Sequence, residues 1–151
     1  MKKLSIIILS LVAYAAIAAA QPKVAVFDPI CDLPASTKNI LREKVVGVIV
    51  SSPNYTAVER SLISKVMEES KFQAEGLVDE TQQTELGRKA GANLVCIVMA
   101  VRLESDYYVS VKLVNLLTAQ IEKQRTGQTA FSSVNVETLI QNLATEIFTK
   151  L

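Results

Sequence analysis

The chain has 151 residues, half of them hydrophobic, with 16 basic and 15 acidic side chains, two cysteines and no histidine. Without histidine, His-based acid–base catalysis, Ser-His and Cys-His nucleophile pairs and the commonest metal ligand are all excluded. A formal charge of +1, with no long Lys/Arg run, supplies no field that would gather nucleic acid or anionic lipid.

Lys2 and Lys3, the apolar stretch from Leu4 to Ala16 and the small residues Ala18 and Ala20 predict a cleavable signal peptide over residues 1–20. The apolar run is short for a membrane span. Cleavage takes the basic count from 16 to 14 against 15 acids, and the formal charge from +1 to −1. Residues 21–151 then form one domain, long enough to bury a hydrophobic core and free of linkers, internal repeats and low-complexity stretches. No cysteine closes the apolar segment, since Cys31 lies eleven residues beyond Ala20. The expectation is therefore a periplasmic protein that is exported but not lipid-anchored.

Within that domain, Val24 to Phe27 reads as a short buried strand, and Asp28-Pro29 and Leu33-Pro34 bracket a loop. A helix starting near Ser36 or Thr37 carries Ile40, Leu41, Val45, Val48 and Ile49 at core spacing and is stopped by Pro53-Asn54. Tyr55, Thr56 and Val58 favour a second strand; Leu62, Ile63, Val66 and Met67 then form one face of a helix closed by Gly76. Asp79 followed by Gln82 has the spacing of an N-cap and its reciprocal partner, which predicts a helix from about Glu80 to Lys89 with Leu86 and Ala90 on its apolar side.

Gly91-Ala92 ends that helix, and the continuously apolar, β-branched run from Leu94 to Val101 predicts a strand buried on both faces. Ser105-Asp106 reads as a hairpin turn, with Tyr107 to Leu117 returning as a strand that keeps one half-exposed face. Thr126 and Gly127 mark a further turn or bulge. Val136, Leu139, Ile140, Leu143, Ala144, Ile147, Phe148 and Leu151 follow the i, i+3, i+4, i+7 rule of a terminal amphipathic helix docked on a sheet. The fold class predicted is a single α/β domain with a mixed β-sheet flanked by helices.

Chemistry is sparse along this chain. The carboxylate pairs Glu68-Glu69 and Asp79-Glu80 are adjacent residues whose side chains diverge, so they read as solvated or capping groups. Gly87 and Gly91, four apart at a helix end, form neither a Walker loop nor a dinucleotide fingerprint. Two cysteines without histidine do not complete a tetrahedral metal site. In an oxidising compartment Cys31 and Cys96 can either form a disulfide, worth about 4 kcal/mol in the chain-entropy model, or remain separate buried thiols. Tyr107 and Tyr108 point to opposite faces of their strand, so one of them is a candidate interface anchor. No enzyme, cofactor or metal is expected.

The stretch ERSLISKVMEESKFQAEGLVDE followed by ELGRKAGANLVCIVMAV resembles the CsgG-like superfamily, which includes the curli secretion channel subunit CsgG and the peptidoglycan synthase activator LpoB. The resemblance is carried by Glu59, Arg60, Ser61, Leu62, Lys65, Glu69, Gly76, Leu77, Asp79, Glu80, Leu86, Gly87, Gly91, Ala92 and the strand after them. A fainter match covers KVAVFDP and TAQIEKQRTG, where the family usually has a glycine and this chain has Ala119. In the family the Glu-Arg-Ser motif marks a helix entry, with Ser61 placed to cap free N–H groups and Glu59 or Arg60 to tie the junction to its surroundings.

The resemblance implies a non-catalytic accessory protein of the cell envelope that binds and modulates a protein partner such as a peptidoglycan synthase. The alternative it carries is a structural or assembly subunit of an envelope secretion complex that forms homo-oligomers. The two family members named are lipoproteins, an anchor not expected of this chain, and residues 21–151 are short for a domain with added membrane-spanning strands.

Overall fold

The computed structural model describes residues 20–70 and 78–149. Gly76, Leu77, Leu151 and most of the signal segment lie outside them. Nine elements follow in order: β1 (Lys23–Val26), α1 (Ala35–Val50), β2 (Thr56–Ala57), α2 (Arg60–Glu69), α3 (Glu80–Lys89), β3 (Leu94–Leu103), β4 (Asp106–Asn115), β5 (Ile121–Ala130) and α4 (Ser133–Phe148). The strands form one mixed sheet in the order β2-β1-β3-β4-β5. β1 runs parallel to both β2 and β3, and β3, β4 and β5 form an antiparallel meander.

Alternation along the strands sorts the core into two layers. Val24, Val26, Cys96, Val98, Val109, Val111 and Leu113 point to the face covered by α1 and α4, where they meet Leu41, Val45, Ile140, Leu143, Ile147 and Phe148. Ala25, Phe27, Val95, Ile97 and Val114 point to the other face, under Ile63 and Val66 of α2 and Leu86 of α3. Each large side chain buried this way contributes roughly 1.5–3 kcal/mol before chain entropy is set against it. β3 is buried on both faces from Leu94 to Val98 only; Val101, within the run expected to be buried, is exposed because the strand there runs past the cover of α2 and α3. Among the described residues no helix is long and apolar enough to cross a membrane.

Several expectations need correction. Ile40 is half exposed, and Arg42 is buried in its place. β4, by contrast, keeps the half-exposed face expected of it, at Asp106, Tyr108 and Lys112, while Tyr107, Val109, Val111 and Leu113 are buried on the α1/α4 face. Thr126 and Gly127 lie in the middle of β5, opposite Ser110 and Val109, and the register shift falls instead at Leu113/Val114. Gly127 packs closely under α4: a Cβ there would stand 3.0 Å from Leu139 Cδ1, and the leucine side chain would have to shift. The β3–β4 turn sits one residue early, at Glu104-Ser105, with Glu104 at φ 44°.

Candidate interaction surface

Most of the motif residues prove to be fastenings of the fold. Asp79 accepts from Gln82 N–H at 2.8 Å while Gln82 Oε1 accepts from Asp79 N–H at 3.0 Å, the reciprocal cap expected from their spacing. Glu80, in the first turn of α3, reaches Lys112 Nζ of β4 at 2.8 Å. At the other end Gly91 takes φ +70°; its N–H donates to Arg88 O and the Ala92 N–H to Gly87 O, at 3.0 and 3.1 Å, which is a Schellman closure. Leu86 is fully buried, and beside it Gly87 lets α3 approach the sheet, where a Cβ would stand 3.1 Å from Leu116 Cδ1.

The Glu-Arg-Ser junction behaves differently from the family expectation for Ser61. Glu59 is the N-cap of α2 without any side-chain cap, and Ser61 Oγ turns back toward Glu59 Oε2 at 3.4 Å instead of bonding a free helix N–H. Two positions past the cap, its hydroxyl lies beyond the geometry that an N-cap oxygen uses. Arg60 does tie the junction down: its Nη1 lies 3.6 Å from Asp28 Oδ1 at the end of β1. The same carboxylate pairs with Nη1 of the buried Arg42, which is also held by Asn39 Oδ1 at 2.9 Å and Glu43 Oε1 at 2.9 Å. Burial, and then the neighbouring Arg42 charge, lower the Arg60 pKa. Sequence reasoning missed this network, although Arg42 stands three residues before Val45 on the core stripe of α1 and was a visible signal.

The two cysteines do not meet. Both are free and buried on the α1/α4 face of the sheet. Cys96 lies opposite Val26, whereas Ile30, the residue before Cys31, bridges to Met99 further along β3. Cys31 is thus level with Ala100, some four residues from Cys96, or about 13 Å at the strand rise and well beyond disulfide reach.

Of the adjacent tyrosines, Tyr107 is buried and therefore unavailable as a contact, while Tyr108 is half buried on the opposite face. Tyr108 pairs across the sheet with Val101, which is 43% exposed, and Leu103 at 44% follows on the same face. Next to them, toward Ile97 and Lys112, runs an open groove of about 460 Å³ between α3 and the sheet, lined by Glu80, Thr84, Arg88, Ile97, Lys112 and Ile121. Its charged groups are engaged: Lys112 on Glu80, Arg88 Nε on Leu116 O at 2.8 Å, and Glu85 on Lys89 at 3.0 Å. Among the described residues no group of three or more Cys, Asp or Glu side chains is placed to hold a metal.

These features define an α/β domain in which most of the motif's polar side chains hold the elements together. The fold is that of LpoB. The C-terminal domain of LpoB from Salmonella enterica superposes with a TM-score of 0.60 at 15% identity, covering 77% of this chain and 87% of that one. Lipoprotein GNA1162 from Neisseria meningitidis gives 0.60 at 9% identity, covering 86% of this chain and 99% of that one. A PelC dodecamer subunit from Paraburkholderia phytofirmans gives 0.51 at 14% identity, covering 86% and 90%. No protein-family model matches the chain, and no curated protein matches it in sequence.

Proposed function

We propose that this chain is a non-catalytic accessory protein of the cell envelope, exported to the periplasm by residues 1–20 and acting by docking on a protein partner. The observation that carries this reading is the LpoB-like fold combined with motif residues that are engaged in caps, closures and ion pairs rather than poised around a reacting atom. The resemblance read from the sequence supplies the class of partner, a peptidoglycan synthase. The strip formed by Val101, Leu103 and Tyr108 is the docking contact, since it presents apolar and aromatic surface on the same face of the sheet as the groove under α3.

Crosslinking in intact cells, followed by affinity capture from the envelope, tests this. One cell-wall enzyme should be recovered at near-stoichiometric yield, and Val101→Asp or Tyr108→Ala should release it without lowering the melting temperature by more than a few degrees. Recovery of the chain's own copies alone would favour the second reading, an assembly subunit, which the likeness to a dodecamer-forming protein supports.

A further inference from the structure

β5 forms an edge of the sheet, and among the described residues nothing pairs with its outer side. The Phe131 N–H donates to Ser105 O at 2.9 Å, which fixes the alternation along this ladder. Residues 125, 127 and 129 bond inward to β4, whereas Gln124, Thr126 and Gln128 turn their N–H and C=O groups outward. The Arg125 side chain reaching Gln124 O at 2.8 Å is consistent with a carbonyl left open by the ladder.

Edges of this kind are ordinarily blunted by proline, by a bulge or by charges aimed along the edge. β5 carries no proline, and its irregularity is confined to the end near Ile121. Its cations lean toward α4, Lys123 Nζ to Ile147 O at 2.9 Å and Arg125 Nε to Glu146 at 3.3 Å, while Arg125 Nη1 also donates to the outward Gln124 O. What faces outward at mid-strand is a row of main-chain groups flanked by Gln and Thr side chains, with the Arg125 guanidinium on the Gln124 carbonyl.

We propose that this edge is a self-complementary interface, at which β5 pairs antiparallel with β5 of a second copy about a two-fold axis through Thr126. With the axis there, outward residues meet only outward residues: Thr126 faces Thr126 and Gln124 faces Gln128. About six main-chain hydrogen bonds form. Arg125 falls opposite Gly127, the residue with no side chain to obstruct it, and Lys123 falls opposite Thr129. Shifting the axis to Arg125 would set two guanidinium groups directly across from each other, which is destabilising. Shifting it to Gly127 places Lys123 beyond the end of the partner strand.

α4 lies along β5, with Leu139 over Gly127 and Glu146 beside Arg125. This interface goes beyond the accessory-factor reading and does not rest on it, because it leaves the Val101–Tyr108 strip open.

Sedimentation velocity on the exported, purified chain across a concentration range tests the proposal, and a reversible dimer is expected. Thr126→Pro removes an N–H that the β4 ladder does not use, so the fold is retained while self-association weakens at least about a hundredfold. Thr126→Lys, which sets two ammonium groups on the axis, does the same if the proline variant fails to fold. Thr126→Cys, on the axis, forms a covalent dimer on oxidation, whereas Ser36→Cys on exposed α1 does not. A monomer at every concentration, a ring larger than a dimer, a dimer indifferent to both Thr126→Pro and Thr126→Lys, or failure of Thr126→Cys to crosslink would each overturn the interface. Loss of the envelope partner without loss of the dimer would sink the accessory reading alone.

Discussion

Tyr107 and Asp32 join two distant parts of the chain: the phenol donates to Asp32 Oδ1 at 2.7 Å, tying β4 to the loop after β1. The ring stacks on Phe131 at 5.5 Å, and Arg102 lies 4.1 Å over the outer face of Phe131.

This pairing predicts an alkaline weakness. Burial first, then the hydrogen bond to the Asp32 carboxylate, raises the Tyr107 pKa above its ordinary value of 10.0. The folded state therefore holds the proton more tightly than the unfolded chain. The resulting stability is complete below pH 10.0 and is lost as the pH climbs through the folded value. Urea midpoints measured at rising alkaline pH should fall more steeply for the wild type than for Tyr107→Phe; parallel slopes would refute the assignment.

The two arginines on Asp28 should differ sharply in weight. Arg42 is 6% exposed with three side-chain partners, and truncating it removes these charge-assisted bonds and opens the core, so Arg42→Ala is expected to cost about 2 kcal/mol. Arg60 is 44% exposed on its side chain and 3.6 Å away, and Arg60→Ala should cost under about 1 kcal/mol. Denaturant unfolding of both variants checks the order, and equal losses would contradict it.

Ala119 is a site for stabilisation. It adopts φ 58° in the β4–β5 turn, in the left-handed region where a Cβ is unfavourable by about 1–2 kcal/mol. Relief of that strain outweighs the extra chain entropy of glycine, so Ala119→Gly should raise the melting temperature by a few degrees. Gly91→Ala, at φ +70°, should lower it. Calorimetry on the pair gives opposite signs if turn conformation is the cause.

The cysteines should be present but silent. Burial raises the Cys31 pKa and pushes Cys96 up to about 12, so little thiolate exists at neutral pH. Iodoacetamide should leave the native protein unmodified over minutes and alkylate both thiols once it is unfolded without reductant. A mass showing an intact bridge would contradict the separation along β3.

What was legible in the sequence was local. The start and end of α3 could be read because Asp79, Gln82 and Gly91 act within a turn of where they stand, and β3 because its apolar run has no other use. Long-range placement was not legible. The burial of Arg42 depends on Asp28, contributed by a different element, and the distance between Cys31 and Cys96 depends on the Ile30–Met99 register. Gly127 looked like a turn signal because its neighbour Leu139 lies on a helix twelve residues later. The sequence resemblance went further than periodicity, reaching the LpoB-like fold, yet it misassigned the hydroxyl of Ser61, whose bond is set by local rotamer geometry.

The parallel placement of β1 between β2 and β3 also orders events in time. Lys23 N–H bonds Asn93 Oδ1, a closure across 70 residues, whereas β3, β4 and β5 join through short turns. Contacts that close so large a loop are entropically late, and the meander is early. Among the described strands, β1 is therefore expected to take its place beside β3 only after the meander has formed.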